Sequence, residues 1–112
     1  MAIQHAIRFR AETVRTLAAG SIGAAYMGVG VALTQPIRQF FIQNLTDGTL
    51  MFSFDGVNDH FPLPRNGFYV SDITANASTT GGWFLAEGDR LYVKEVDTPT
   101  TGSVYFSAFY GT

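Results

Sequence analysis

Apolar and polar residues alternate with a period of two along most of the chain, the repeat of half-buried strands rather than of helices. In "SVYFSAFYG", Val104, Phe106, Ala108 and Tyr110 fall on one side and Tyr105 and Phe109 on the other. This predicts a closing strand with apolar groups on both faces. The segment Ile37 to Leu45 follows Pro36 and carries Phe40, Phe41 and Ile42 in succession. A strand of that kind is central in its sheet, or its outer face meets a partner. From Thr49 to Asp55, Leu50, Phe52 and Phe54 alternate with Thr49, Met51 and Ser53. The intervening Thr46-Asp47-Gly48 has the composition of a type I turn with a left-handed glycine, so the two segments are expected to pair as a bulged hairpin.

The remaining pattern is shorter-ranged. "HFPLP" holds Pro62 and Pro64, which cannot both serve a ladder, and reads as an edge strand. "RNG" turns the chain into Phe68 to Thr74, and the polar stretch Ala75 to Gly82 is the longest expected loop. Trp83 to Leu85, a turn at Glu87 to Asp89, and a strand Arg90 to Val96 with Leu91 and Val93 inward come next. Towards the N-terminus, "TVRTL" and "GAAYMGVGVAL" read as short strands, with glycines in the second marking bulges or a close approach. Residues 1 to 12 alternate as an arm or edge strand docking on the same or a neighbouring subunit. About eight short strands, with turns every 8 to 12 residues, predict an all-β antiparallel β-sandwich or jelly-roll-like domain over residues 13 to 112.

Composition reinforces this picture. Ten Phe and five Tyr among 112 residues favour strands, and the charged fraction of 14% lies well below the ~25% of an average soluble domain, so part of the surface is expected to be covered. With no Cys, stability is expected from packing or assembly. The net charge is -2, but its sign is uneven: Arg8, Arg10, Arg15 and Arg38 face Glu12 alone before residue 41, and the other eight acids lie beyond it. Opposite-signed ends suit head-to-tail contact between copies. The uncharged run between Arg15 and Arg38 imitates a membrane anchor, but its Ala and Gly content favours small-residue strands over a span of ~20 strongly apolar residues.

Candidate chemistry is sparse. His60 lies near Asp55 and Asp59, with Ser53 or Ser71 as conceivable nucleophiles, yet no nucleophile elbow accompanies them. "DGVND" offers calcium-type oxygens without the spacing of an EF-hand, and turn chemistry explains it more simply. Asn44-Leu45-Thr46 and Asn76-Ala77-Ser78 match the glycosylation sequon and are read as chance. No dinucleotide loop or nucleic-acid module is present, so direct nucleic-acid contact, a membrane and a cofactor are not expected.

The order of "VRTLAAGSIGAAYMGVGVALTQPIRQFFIQNLTDGTLMFSFDG", "GFYVSDIT", "WFLAEGDRLYVK" and "PTTGSVYFSAFYG" resembles small virion structural proteins of tailed bacteriophages. The resemblance covers roughly residues 14 to 112. It implies a non-enzymatic virion protein, present in host cytoplasm during assembly. It would assemble with itself and with other particle components (portal, neck, tail or capsid), first as a head-to-tail neck, collar or adaptor protein and otherwise as a capsid decoration protein. Expected subunit-interface residues are Phe9 and Arg10 in the arm, Phe40 or Phe41 on the central strand, and Tyr105 and Phe109 on the last. A carbohydrate- or receptor-binding sandwich of a tail fibre is the alternative from another class, with Trp83, Tyr69 and the 75 to 82 loop as a shallow site.

Overall fold

A computed structural model describes residues 9–72 and 88–111. Nine strands are found among them: β1 (Phe9–Ala11), β2 (Arg15–Ala18), β3 (Met27–Gly28), β4 (Gln39–Thr46), β5 (Leu50–Ser53), β6 (Phe61–Leu63), β7 (Phe68–Asp72), β8 (Tyr92–Glu95) and β9 (Gly102–Gly111). They form two antiparallel sheets packed as a β-sandwich. The first has the order β1-β9-β4-β7, with β2 also paired to β9, and the second the order β3-β8-β5-β6. If β1 and β2 are counted as one interrupted strand, this is the eight-strand order of a jelly roll.

Register decides which side chains meet between the sheets. On β4, Phe40, Ile42 and Asn44 stand opposite Ala108, Phe106 and Val104 of β9, and all six are buried. The second sheet answers with Leu50 and Phe52 of β5, Leu63 of β6, Val93 of β8, and Leu91 just before it. Phe40 packs edge-on against Phe54, Tyr69 and Phe106, and Phe61 reaches Tyr69 at 5.2 Å between centroids, so aromatic rings bridge the sheets on the β6/β7 side. Ile22, Val29, Leu33 and Ile37 extend the core from the connecting segments.

Two sequence expectations change here. The segment Arg15 to Arg38, read as two small-residue strands, contributes β2, a single 3-10 turn at Ala19–Ser21 and only a two-residue β3. Its glycines admit arginines: a Cβ at Gly28 would lie 2.2 Å from the Arg90 guanidinium carbon, and one at Gly30, where φ is +66, 2.4 Å from Arg15 Cγ. Among the described residues, no helix is long and apolar enough to cross a membrane. The end of the expected arm, Phe9 to Ala11, is β1 and pairs with Tyr110 and its neighbours within the same chain.

The second change concerns β4 and β5. They do not form a hairpin, because β4 pairs with β7 and β9 while β5 pairs with β6 and β8. Thr46-Asp47-Gly48 is instead a crossing from one sheet to the other, and Gly48 does not adopt the positive φ that the bulged turn requires. The edge character of "HFPLP" is as expected: β6 pairs with β5 alone, and Pro62 occupies its middle.

Candidate interaction surface

The same alternation that buries one side of β4 and β9 presents the other. Outward-facing pairs across the two strands are Gln39 with Phe109, Phe41 with Ser107, Gln43 with Tyr105, and Leu45 with Ser103. On the far side of β4, Val70 stands opposite Phe41, and Phe68 opposite Gln43. Phe41 and Phe68 meet edge-on at 5.8 Å. Thr16 and Ala18 of β2, and Ala11 of β1, continue the surface beyond β9. Phe68 is 65% exposed and Val70 61%, while Phe41, Tyr105 and Phe109 are half-buried among their neighbours. None of the described side chains that these strands place on this face carries a charge; Asp72, in register with Gln39, ends β7.

This arrangement sorts the expected interface residues. Phe41, Tyr105 and Phe109 share the outer face. Phe40 does not: at 5% exposure it belongs to the core, because its register partner Ala108 faces inward. Arg10 is exposed on β1 opposite Tyr110, and Phe9 is placed by its backbone pairing with Gly111. Phe68 and Val70 were not singled out from the sequence. The alternation in "FYVSD" announced a strand, but only its register with β4 shows which side joins Phe41. Of the carbohydrate-site residues, Tyr69 turns its ring onto Phe40 and Phe61, and Trp83 and the 75 to 82 loop lie outside the described residues.

Three polar clusters stand apart from this face. The first holds one end of the sandwich. Asn44 is fully buried; its Nδ2 donates to the carbonyls of Gly48 (2.9 Å), Leu63 (3.0 Å) and Pro64 (3.1 Å), and its Oδ1 accepts from the Thr46 amide and hydroxyl. The Asp47 carboxylate accepts from the Thr100 hydroxyl and from the amides of Thr100 and Thr101. These bonds draw its pKa from the ordinary 3.8 to about 2. Together, Asn44, Thr46 and Asp47 fasten three of the six places where the described strands pass from one sheet to the other, β4 to β5, β6 to β7 and β8 to β9. A buried amide with every polar atom engaged is no glycan acceptor in the folded protein. The second sequon, at Asn76, lies outside the described residues.

In the second cluster, the β5–β6 turn, Asp55 accepts from the Asn58 and Val57 amides, the Asn58 side chain and the Ser53 hydroxyl, which hold its carboxyl far below the usual range. The buried Ser53 hydroxyl also accepts from the Asp55 and Gly56 amides, and His60 Nδ1 accepts from the Phe54 amide at 2.9 Å. The serine, histidine and aspartate that could have suggested hydrolysis are thus engaged in shaping a turn. Tyr26 donates to Asp59 at 2.5 Å, and Lys94 contacts both the Asp59 carboxylate and the Tyr26 ring. Burial and that donation raise the Tyr26 phenol above its usual range. Among the described residues, no group of three or more His, Asp or Glu could hold a metal ion.

The third cluster joins the start of β2 to the 29–35 segment. Arg15 pairs with Glu12 at 2.8 Å, their side chains 5% and 4% exposed, and also donates to the carbonyls of Thr13, Val31 and Ala32. Burial alone would raise the Glu12 carboxyl. The Thr34 hydroxyl and amide, with the Arg15 guanidinium, more than offset it and leave the pKa lowered. A groove of about 590 Å³ opens above this pair, lined in part by Val14, Val31 and Tyr110.

No family model matches the chain, and no curated protein and no solved structure matches it.

Proposed function

We propose that this chain is a non-enzymatic structural subunit of a bacteriophage particle, one that assembles with itself and bridges other particle components at the head-to-tail neck, collar or adaptor. The carrying observation is the outer face of the β7-β4-β9 sheet, where Phe41, Phe68, Val70, Tyr105 and Phe109 lie together and the strands bring a charged residue to the face only at its margin, with Asp72 at the end of β7. A contiguous exposed apolar patch of this kind marks an interaction surface, and burying it contributes about 25 cal/mol per Å². Two further features support the reading. The polar clusters are engaged in holding turns and crossings, and jelly rolls recur in viral capsid and lectin domains, an analogy of fold rather than of site.

The test is location. Antibody raised against the protein and applied to phage particles purified from a culture that encodes it should label the head–tail junction. Label over the whole head surface would assign capsid decoration instead. Label at fibre tips would assign receptor binding. Particles devoid of the protein would refute a virion role.

A further inference from the structure

We infer that the outer face of the β7-β4-β9 sheet is covered by the same face of a second copy, the two sheets packing against each other about a two-fold axis. The inference rests on the self-assembly in the reading above and names the surface and the symmetry of that contact.

Charge is the first reason. A two-fold contact brings each group near its own equivalent, so a charged patch repels itself. Here, apart from Asp72 at the end of β7, the strand residues of the face are aromatic or aliphatic groups, amides and hydroxyls. Gln39 and Gln43 can each donate and accept, and so can pair with their own copies. The face also lacks the cations that a nucleic acid or an anionic membrane surface would need.

Relief is the second. Along β9 the outward residues run Ser103, Tyr105, Ser107, Phe109, small and large by turns. Along β4 the bulky apolar residues Phe41 and Leu45 stand beside Ser107 and Ser103, while Tyr105 and Phe109 stand beside Gln43 and Gln39. Bulky rings and short side chains therefore form a chequered pattern. A copy turned through half a revolution and offset by one row seats its rings over the serines, as the inner faces of two sheets interlock at ~10 Å.

Area is the third. Eight residues of β4 at ~3.4 Å each and four strand positions at ~4.8 Å give a flat footprint of roughly 27 by 19 Å, or ~500 Å². Side-chain relief raises the accessible area towards the ~600–1,000 Å² that each partner buries in an interface of standard size.

The chain has no Cys, so single introduced cysteines report the contact directly. Sedimentation of the full chain at about 100 µM should give close to twice the 12.2 kDa monomer mass. Phe68→Glu and Val70→Glu, both at exposed positions, should return it to monomer with the melting temperature that the wild type shows when diluted below its dimerisation range. Under mild oxidation, Gln43→Cys or Ser107→Cys should form disulfide-linked dimers, and Thr98→Cys, in the exposed turn before β9, should not. A wild type that stays monomeric overturns the inference. If Phe68→Glu then also prevents incorporation into particles, the occupant is another particle component, and the virion reading survives without the dimer. If the monomer instead binds insoluble polysaccharide through this face, the sugar-binding reading takes its place. An oligomer that resists both glutamates, or that dissociates with them but never cross-links through Gln43→Cys or Ser107→Cys, overturns the two-fold contact.

Discussion

Replacing Asn44 by Ala removes the side chain that ties both sheets at one end of the sandwich, and its cost can be worked from the bonds it makes. The Nδ2 protons serve three carbonyls, and Oδ1 serves the Thr46 amide and hydroxyl. In the variant, the Thr46 hydroxyl can turn wholly to the Gly48 carbonyl, already 3.1 Å away, which leaves the Thr46 amide without its partner and takes one donor each from the carbonyls of Leu63 and Pro64, the latter keeping the Gly67 amide. A buried polar group left unsatisfied costs ~1–3 kcal/mol. One such amide, with two carbonyls that each lose a donor worth ~0.5–1.5 kcal/mol, puts the loss at roughly 2–4 kcal/mol. A chain of 112 residues has a total stability of about 6–17 kcal/mol, so this is a large fraction of it. Urea denaturation with unchanged slope should report the loss, and the melting temperature should fall by roughly 8–16 °C. Thr46→Val should cost ~1 kcal/mol alone and less in the Asn44→Ala background, because the two side chains share a bond. A loss below ~1.5 kcal/mol for Asn44→Ala would refute the idea that this amide holds the crossings together.

Other outcomes follow from the remaining clusters. Asp47 has a folded-state pKa of about 2 against an ordinary 3.8, so it contributes stability above about pH 4 that is lost as the pH falls through about 2; Asp47→Asn should flatten the urea midpoint over that window. Arg15→Ala strands the Glu12 carboxylate in a site only 4% exposed and should cost ~3–5 kcal/mol by urea denaturation, whereas the double change Glu12→Gln with Arg15→Met should recover much of it. Gly102 has φ +88, and a Cβ there would lie 2.0 Å from the Leu45 carbonyl oxygen, so Gly102→Ala should lower stability by more than ~2 kcal/mol, while Gly20→Ala, which meets nothing within 4 Å, should leave the melting curve in place.

How much of this was legible in the sequence depends on the range over which each feature is determined. Alternation is local, so β9, β4 and β8 could be read directly, with Leu91, Val93, Val104 and Phe106 on their buried sides. Pro62 marked β6 as an edge for an equally local reason. Strand partners are not local. Thr46-Asp47-Gly48 has hairpin composition, but Asp47 answers to residues 100–101, more than fifty positions away, and Asn44 just before the turn to residues 63–64, nearly twenty away, and those bonds turn the chain into the opposite sheet. Likewise, the run Phe40-Phe41-Ile42 asks for two covered faces without saying which ring goes inside. Pairing Phe40 with Ala108 and Phe41 with Ser107 decides it. Phe68 and Val70 join the outer face only through that same long-range register.

β9 lies between β4 on one side and β1 with β2 on the other, yet it is the last strand in chain order. At ~5–20 residues per second, a ribosome finishes β9 several seconds after β1 and β2. Until then, β1 and β2 have no ladder to join, β4 has one free flank, and the sheet cannot close over its core. Folding is therefore deferred until β9 is made and should be slow for a domain of this size, since its decisive pairings join strands from opposite ends of the domain. The delay also orders events. Tyr105 and Phe109 reach the outer face only when β9 is inserted, so the surface that invites association is completed by the same step that completes the fold.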